Sequence, residues 1–245
     1  DGSYLGDARE IIEDIWEYEI VEIAGVPYHA SNNIEKTLGN EWVLINPSYL
    51  HPAAYRMFAI VDPAHPWEEV VDSSYALLNK SVASALDAEK SAGLPPDWVQ
   101  INRETGALRA PESSTLTTNF GYDAMRTPWR IALDYKWYGE PRARQLLQKM
   151  QFLSSEWNTR GRLGSTYSHD GSAVTQAETP AMYGGTIGYF LVADPARAQA
   201  LYKDKLEFLF DPGSNSWKQE LSSSADDWAW FGIGLYNALL PNLTP

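Results

Sequence analysis

One stretch gathers most of the groups that could do chemistry around a single acid: Asn119-Phe120-Gly121-Tyr122-Asp123-Ala124-Met125-Arg126-Thr127-Pro128-Trp129-Arg130. Pro128 suits the first turn of a helix, where its missing N–H costs nothing, and Thr127 before it is predicted as the N-cap. Asp123 and Arg126 then sit at the positive end of that helix rather than along its buried face. An acid so placed is ordinarily a cap or a dipole partner; the density of Tyr, Trp and Arg around it argues for a catalytic role as well. Other constellations are weaker. His29, His51, His65 and His169 have no ligand spacing, and Ser48, Ser165 or Ser168 near a histidine makes no triad without geometry. Asp226-Asp227 before Trp228 reads as the acidic start of the last helix.

The elements that must position these residues are helical. Apolar spacing predicts helices over 7–20, 49–61, 67–91, 128–138, 140–157, 177–193, 195–209 and 225–240. Long polar connections alternate with tight turns such as 137–141 and 193–196, the pattern of stacked helical hairpins whose long loops gather at one end. The helices 49–61, 128–138, 177–193 and 225–240 are expected to form an inner layer. Strand evidence is confined to 98–102 pairing with 107–110 across Glu104-Thr105-Gly106. No composition shift divides residues 1–245, which read as a single domain.

Composition removes several function classes. The chain of 245 residues carries 19 basic and 32 acidic side chains, a formal charge of −13, which argues against nucleic acid as a partner. There is no cysteine, so disulfides and thiolate metal sites are excluded. No apolar run approaches the roughly 20 residues of a membrane span, and Asp1-Gly2-Ser3-Tyr4 lacks the features of a signal peptide. Ten Trp, fourteen Tyr and seven Phe are abundant for so ordinary a hydropathy; such rings fill cores and also stack on sugar faces.

Three ordered motifs carry a resemblance. Asn46-Pro47-Ser48-Tyr49-Leu50 followed by Pro52-Ala53-Ala54-Tyr55, then Leu94-Pro95-Pro96-Asp97-Trp98, then Tyr122 to Ala132, resemble glycoside hydrolase family 8, with weaker matches at Ala181-Met182-Tyr183-Gly184 and Trp228-Ala229-Trp230-Phe231-Gly232. The resemblance implies an all-α (α/α)6 toroid and inverting hydrolysis of β-1,4-linked glucan by a secreted or periplasmic bacterial enzyme, with no cofactor and no metal. It implies that Asp123 is the general base that activates water, that Arg126 orients that carboxylate or binds sugar hydroxyls, and that Tyr49 lies beside the base. Tyr122 and Trp129 read as core residues first and as sugar platforms second, and are kept as the weaker binding candidates.

The family's proton-donating Glu and its Ala-Thr-Asp-Gly-Asp motif lie N-terminal to everything matched. Eight predicted helices against the twelve of a toroid leave a gap of about 100 residues at ordinary element lengths. The expectation is therefore the C-terminal two-thirds of the toroid, with the acid supplied by the absent segment. Glu41, Glu112 and Glu178 read as solvated or helix-end carboxylates rather than substitutes. The open edge, expected to expose Ile12, Ile15, Trp16, Trp230 and Leu235, predicts association with an N-terminal fragment or with a second copy. The alternatives are a xylan, chitosan or exopolysaccharide hydrolase of the same family, or an inactive polysaccharide-binding fragment.

Overall fold

The computed structural model describes residues 2–242 and Thr244; Asp1, read above with Gly2, lies outside the described residues. The helices are α1 (Gly2–Glu19), a single turn α2 (Ile34–Thr37), α3 (Pro52–Val61), α4 (Trp67–Ala83), α5 (Arg126–Tyr138), α6 (Pro141–Lys149), α7 (Phe152–Arg160), α8 (Pro180–Ala193), α9 (Pro195–Lys205) and α10 (Ser223–Tyr236). Four of them, α3, α6, α8 and α9, open on proline, whose fixed φ and missing N–H suit a first turn. Helices α5 and α7 end where Gly139 and Gly161 enter the left-handed region.

The layering is the expected one. Helices α3, α5, α8 and α10 pack in succession as an inner arc, while α4 lies on α3, α6 on α5 and α9 on α8. Helix α8 is the central strut, buried on every face from Ala181 to Phe190. Its glycines explain how it fits: a Cβ at Gly184 would collide with the Trp228 carbonyl on α10, and one at Gly185 with the Met125 carbonyl at the start of α5. Both quoted C-terminal motifs therefore sit at backbone-to-backbone contacts between inner helices.

The boundaries differ from expectation in ways the packing explains. Residues 84–91 hold only one large apolar side chain, Leu86, and have no face to bury, so α4 stops at Ala83; the connection folds back, with Ser91 Oγ donating to the Val82 carbonyl at 2.7 Å. The helix expected over 140–157 is two, broken at Met150-Gln151, where Gly93 at φ 79° presses on the Lys149 carbonyl that ends α6. Tyr49 lies in a separate 3₁₀ turn (Pro47–Tyr49) before α3. Of the residues expected to be exposed, Ile12 and Leu235 are instead buried and Ile15 and Trp16 half-buried, Trp16 stacking on His65 at 4.7 Å. Trp230 is exposed as expected, joined by Phe231, Tyr4, Ile11 and Tyr18.

Sheet is more extensive than expected. Strand β1 (Ile20–Ile23) takes the end of the predicted first helix and forms a hairpin with β2 (Val26–His29). Strand β3 (Trp42–Ile45) pairs with β4 (Val99–Asn102), which pairs in turn with β5 (Leu108–Arg109) as anticipated around Gly106. Two further hairpins are β6 (Thr166–Tyr167) with β7 (Ala173–Thr175) and β8 (Phe210–Asp211) with β9 (Ser216–Trp217). No helix of the described residues is long and apolar enough to cross a membrane.

Candidate active site

Strands β3 and β4 bring two of the three motifs together. Their antiparallel register pairs Ile45 with Val99, so the residues just after β3 and just before β4 lie at one end of the sheet. Asn46 caps the Pro47–Tyr49 turn, its Oδ1 accepting from the Ser48 N–H at 3.0 Å and the Ser48 hydroxyl at 2.7 Å. Tyr49 then meets Trp98 edge-on, with ring centroids 6.2 Å apart.

The third motif is gripped from two sides. Phe120 exchanges both backbone hydrogen bonds with Tyr167, at 2.8 and 3.0 Å, and the Asp97 N–H donates to the Asn119 carbonyl at 2.6 Å. From Gly121 the chain coils ahead of α5, the Met125 N–H reaching the Gly121 carbonyl at 3.1 Å. The free N–H groups at the start of that coil converge on Asp97, whose Oδ1 accepts from Gly121 at 3.2 Å, Asp123 at 3.1 Å and Ala124 at 2.7 Å. This corrects the expected capping: Thr127 lies inside the first turn with its hydroxyl unpartnered among the described residues, α5 has no side-chain cap, and a carboxylate from a distant segment holds the turn just upstream instead. Burial pushes the Asp97 carboxyl up to about 6 against the pull of these amides, with the neighbouring Asp123 charge adding to the rise.

Asp123 and Arg126 form the expected pair, Nη1 to Oδ1 at 3.1 Å, each side chain about a quarter exposed. The Arg126 guanidinium lies over the Trp228 ring at 5.9 Å. One turn further along α5, the half-buried Arg130 donates to the Ser48 carbonyl and so ties α5 to the Tyr49 turn. Asn46 Nδ2, His51 Nδ1 and Arg126 Nε are buried without a hydrogen-bond partner among the described residues. Burial first, then the Arg130 charge, pushes the His51 imidazole down to about 3, so it is neutral.

The two aromatic candidates separate. Tyr122 is half-exposed beside Asp123. Trp129 is buried, its indole N–H donating to the Phe231 carbonyl at 2.8 Å and its ring edge-on to Trp228, so it faces the core and offers no platform to a ligand. The glutamates weighed as acids are otherwise engaged. Glu112 is exposed and paired with Arg109 at 2.8 Å, and Glu41 accepts from Asn102 at 2.8 Å. Glu178 is held below its usual range by hydrogen bonds from Lys205 and Tyr183, which outweigh its burial. Asp226 accepts from Trp217 Nε1 at 2.5 Å, while Ser222 caps α10. A hollow of about 620 Å³ beside α10, lined by Tyr202, Phe210, Trp217, Trp230 and Ile233, includes no residue of the Asp123 motif.

Asp97 stands inside one of the three sequence motifs, which by itself assigns it no task. The signal was there, an acid between Pro-Pro and Trp at the entry to a strand, yet its partners lie 24 to 27 residues away.

The family model of glycosyl hydrolases family 8 matches residues 3–222. Endoglucanase C of Ruminiclostridium cellulolyticum is 36% identical over 99 residues, 40% of this chain and 19% of that protein. Among solved structures, an endo-1,4-D-glucanase from Vibrio fischeri superposes with a TM-score of 0.78 at 19% identity, covering 98% of this chain and 64% of that one. A beta-1,3-1,4-glucanase from Paenibacillus sp. X4 superposes with a TM-score of 0.74 at 18% identity, covering 95% of this chain and 59% of that one. The chain thus spans about three-fifths of the length of these solved structures.

Proposed function

The chain belongs to glycosyl hydrolases family 8, and from that premise we propose that it carries the general-base side of an inverting site for β-1,4-linked glucan. Asp123 removes a proton from water on the face of the sugar opposite the scissile bond, and the water oxygen attacks the anomeric carbon as the glycosidic bond breaks. Arg126 aims the carboxylate through its Nη1 contact, and the rest of its partly exposed guanidinium faces sugar hydroxyls. Tyr49 and Tyr122 flank the reacting ring. The proton for the leaving oxygen comes from a glutamate outside these 245 residues, placed about 6.5–9.5 Å from Asp123 as inversion requires.

The observation that carries this reading is the half-open Asp123–Arg126 pair at the head of α5, a helix that Arg130 ties to the Ser48 carbonyl next to Tyr49. The test is Asp123→Asn in the chain joined to the remaining third of a family 8 relative, assayed on carboxymethyl cellulose. Loss of a general base costs about 10² to 10⁴ in rate; a rate within threefold of the parent refutes the assignment. The similarity to a beta-1,3-1,4-glucanase favours a second reading of the substrate, mixed-linkage glucan. Reducing-sugar release from barley β-glucan, xylan and chitosan beside cellulose derivatives separates these.

A further inference from the structure

Asp97 is a largely buried acid with no cation paired to it among the described residues, and both of its oxygens are turned to one short stretch of backbone. Oδ1 takes the three amides of Gly121, Asp123 and Ala124, and Oδ2 lies 2.6 Å from where a Gly121 Cβ would stand. Any side chain at position 121 would push the carboxylate away. Its own backbone is fixed as well: the Asp97 N–H binds Asn119, the Trp98 N–H binds the Thr117 carbonyl at 3.1 Å, and β4 begins at the next residue.

We propose that Asp97 is the positioning residue of the base: by holding the amides of Gly121, Asp123 and Ala124, it locks the turn that presents Asp123 to the sheet that presents Tyr49. This rests on the reading of Asp123 as the base. A carboxylate binding several backbone N–H groups makes stronger bonds than a neutral cap, and the anchor reaches the main chain of the catalytic residue itself. Charge alone is a poor reason for an acid here, because burial opposes its ionisation. The carboxylate serves as a multiple acceptor of fixed geometry.

The test compares Asp97→Ala, which removes the acceptor, with Asp97→Asn, which keeps an oxygen in its place. In Asp97→Ala, amide exchange followed by NMR should accelerate at least tenfold at Gly121, Asp123 and Ala124 while Ile131 and Ala132 in α5 keep their protection. Turnover in the chain joined to the remaining third of a family 8 relative should fall by about 10²-fold, as for a catalytic group displaced by about 1 Å, with KM within threefold. Asp97→Asn should restore most of both. If Asp97→Ala does not fold, Gly121→Ala should reproduce the pattern, because its Cβ displaces the same carboxylate. Unchanged exchange at the three amides, an unchanged kcat, or an Asp97→Asn as impaired as Asp97→Ala overturns the proposal. A parent rate in Asp123→Asn sinks the reading of the base instead, and the exchange pattern still decides whether Asp97 holds the turn.

Discussion

Helix α5 carries two acid–arginine pairs that differ in almost everything except chemistry. At its head, Asp123 meets Arg126 through one contact of 3.1 Å, both side chains a quarter exposed and Arg126 Nε unpartnered. Two turns along, Asp134 is wholly buried, bound by Arg56 Nε at 3.0 Å and the Tyr75 hydroxyl at 2.5 Å. Arg56 also reaches Glu140 at 2.6 Å and Glu68 at 3.2 Å. Hydrogen bonds from Arg142 hold the Glu140 carboxyl down at about 2, while burial and the Asp134 charge push the Tyr75 hydroxyl well above its usual range. One network has spent its donors on itself and locks α5 to α3, α4 and α6. The other is a single contact between two partly exposed side chains, which leaves the Asp123 carboxylate able to meet a ligand.

Substitution should therefore separate the pairs cleanly. Asp123→Asn is expected to cost about 10² to 10⁴ in turnover while thermal stability shifts by less than about 1 kcal/mol, as for an exposed pair. Asp134→Ala takes from half-buried Arg56 the one wholly buried acid among its partners, and breaking such a pair costs about 3–5 kcal/mol; the folded fraction should keep its activity. Calorimetry and initial rates on the same samples check both, and an Asp134 variant that loses turnover without losing stability would erase the distinction.

Arg126→Lys tests the half-open pair from its other side. An ammonium cannot reproduce the planar contact to Asp123, and loss of a charge-assisted hydrogen bond of about 1.5–3 kcal/mol predicts a roughly ten- to hundredfold fall in kcat/KM. A smaller effect, on the order of 2 kcal/mol, is expected from Asp97→Asn, and it depends on pH. A carboxyl raised to about 6 in the folded state contributes stability that is full below its unfolded value and lost as pH rises through about 6. The Asn variant should therefore melt above the parent at pH 7.5 and close to it at pH 4. Melting curves with no pH-dependent difference would contradict this.

The contrast also marks what the sequence makes legible. The inner helices announce themselves through apolar spacing and opening prolines, because both are local signals. Asp123 and Arg126 are legible for the same reason, lying three residues apart at a helix start. Asp97 and strand β3 are not, since Trp42–Ile45 spans four residues between loops and its partner comes far later in the chain. Thr127 illustrates the same limit: local rules nominate the nearest hydroxyl as cap, and tertiary packing supplies a stronger acceptor instead. Trp129 shows a further limit, because an aromatic beside such a motif has the same sequence signature whether it faces a ligand or the core.

The account turns on water being activated opposite the leaving group, and one spectrum addresses it. With the chain joined to the remaining third of a family 8 relative and cellopentaose as substrate, proton NMR during the first turnovers reads the configuration of the new reducing end before mutarotation. Single displacement at a β-linkage predicts the α-anomer first, with no product from Asp123→Asn on the same timescale. Initial release of the β-anomer, or α-anomer formed by Asp123→Asn at the parent rate, would contradict it.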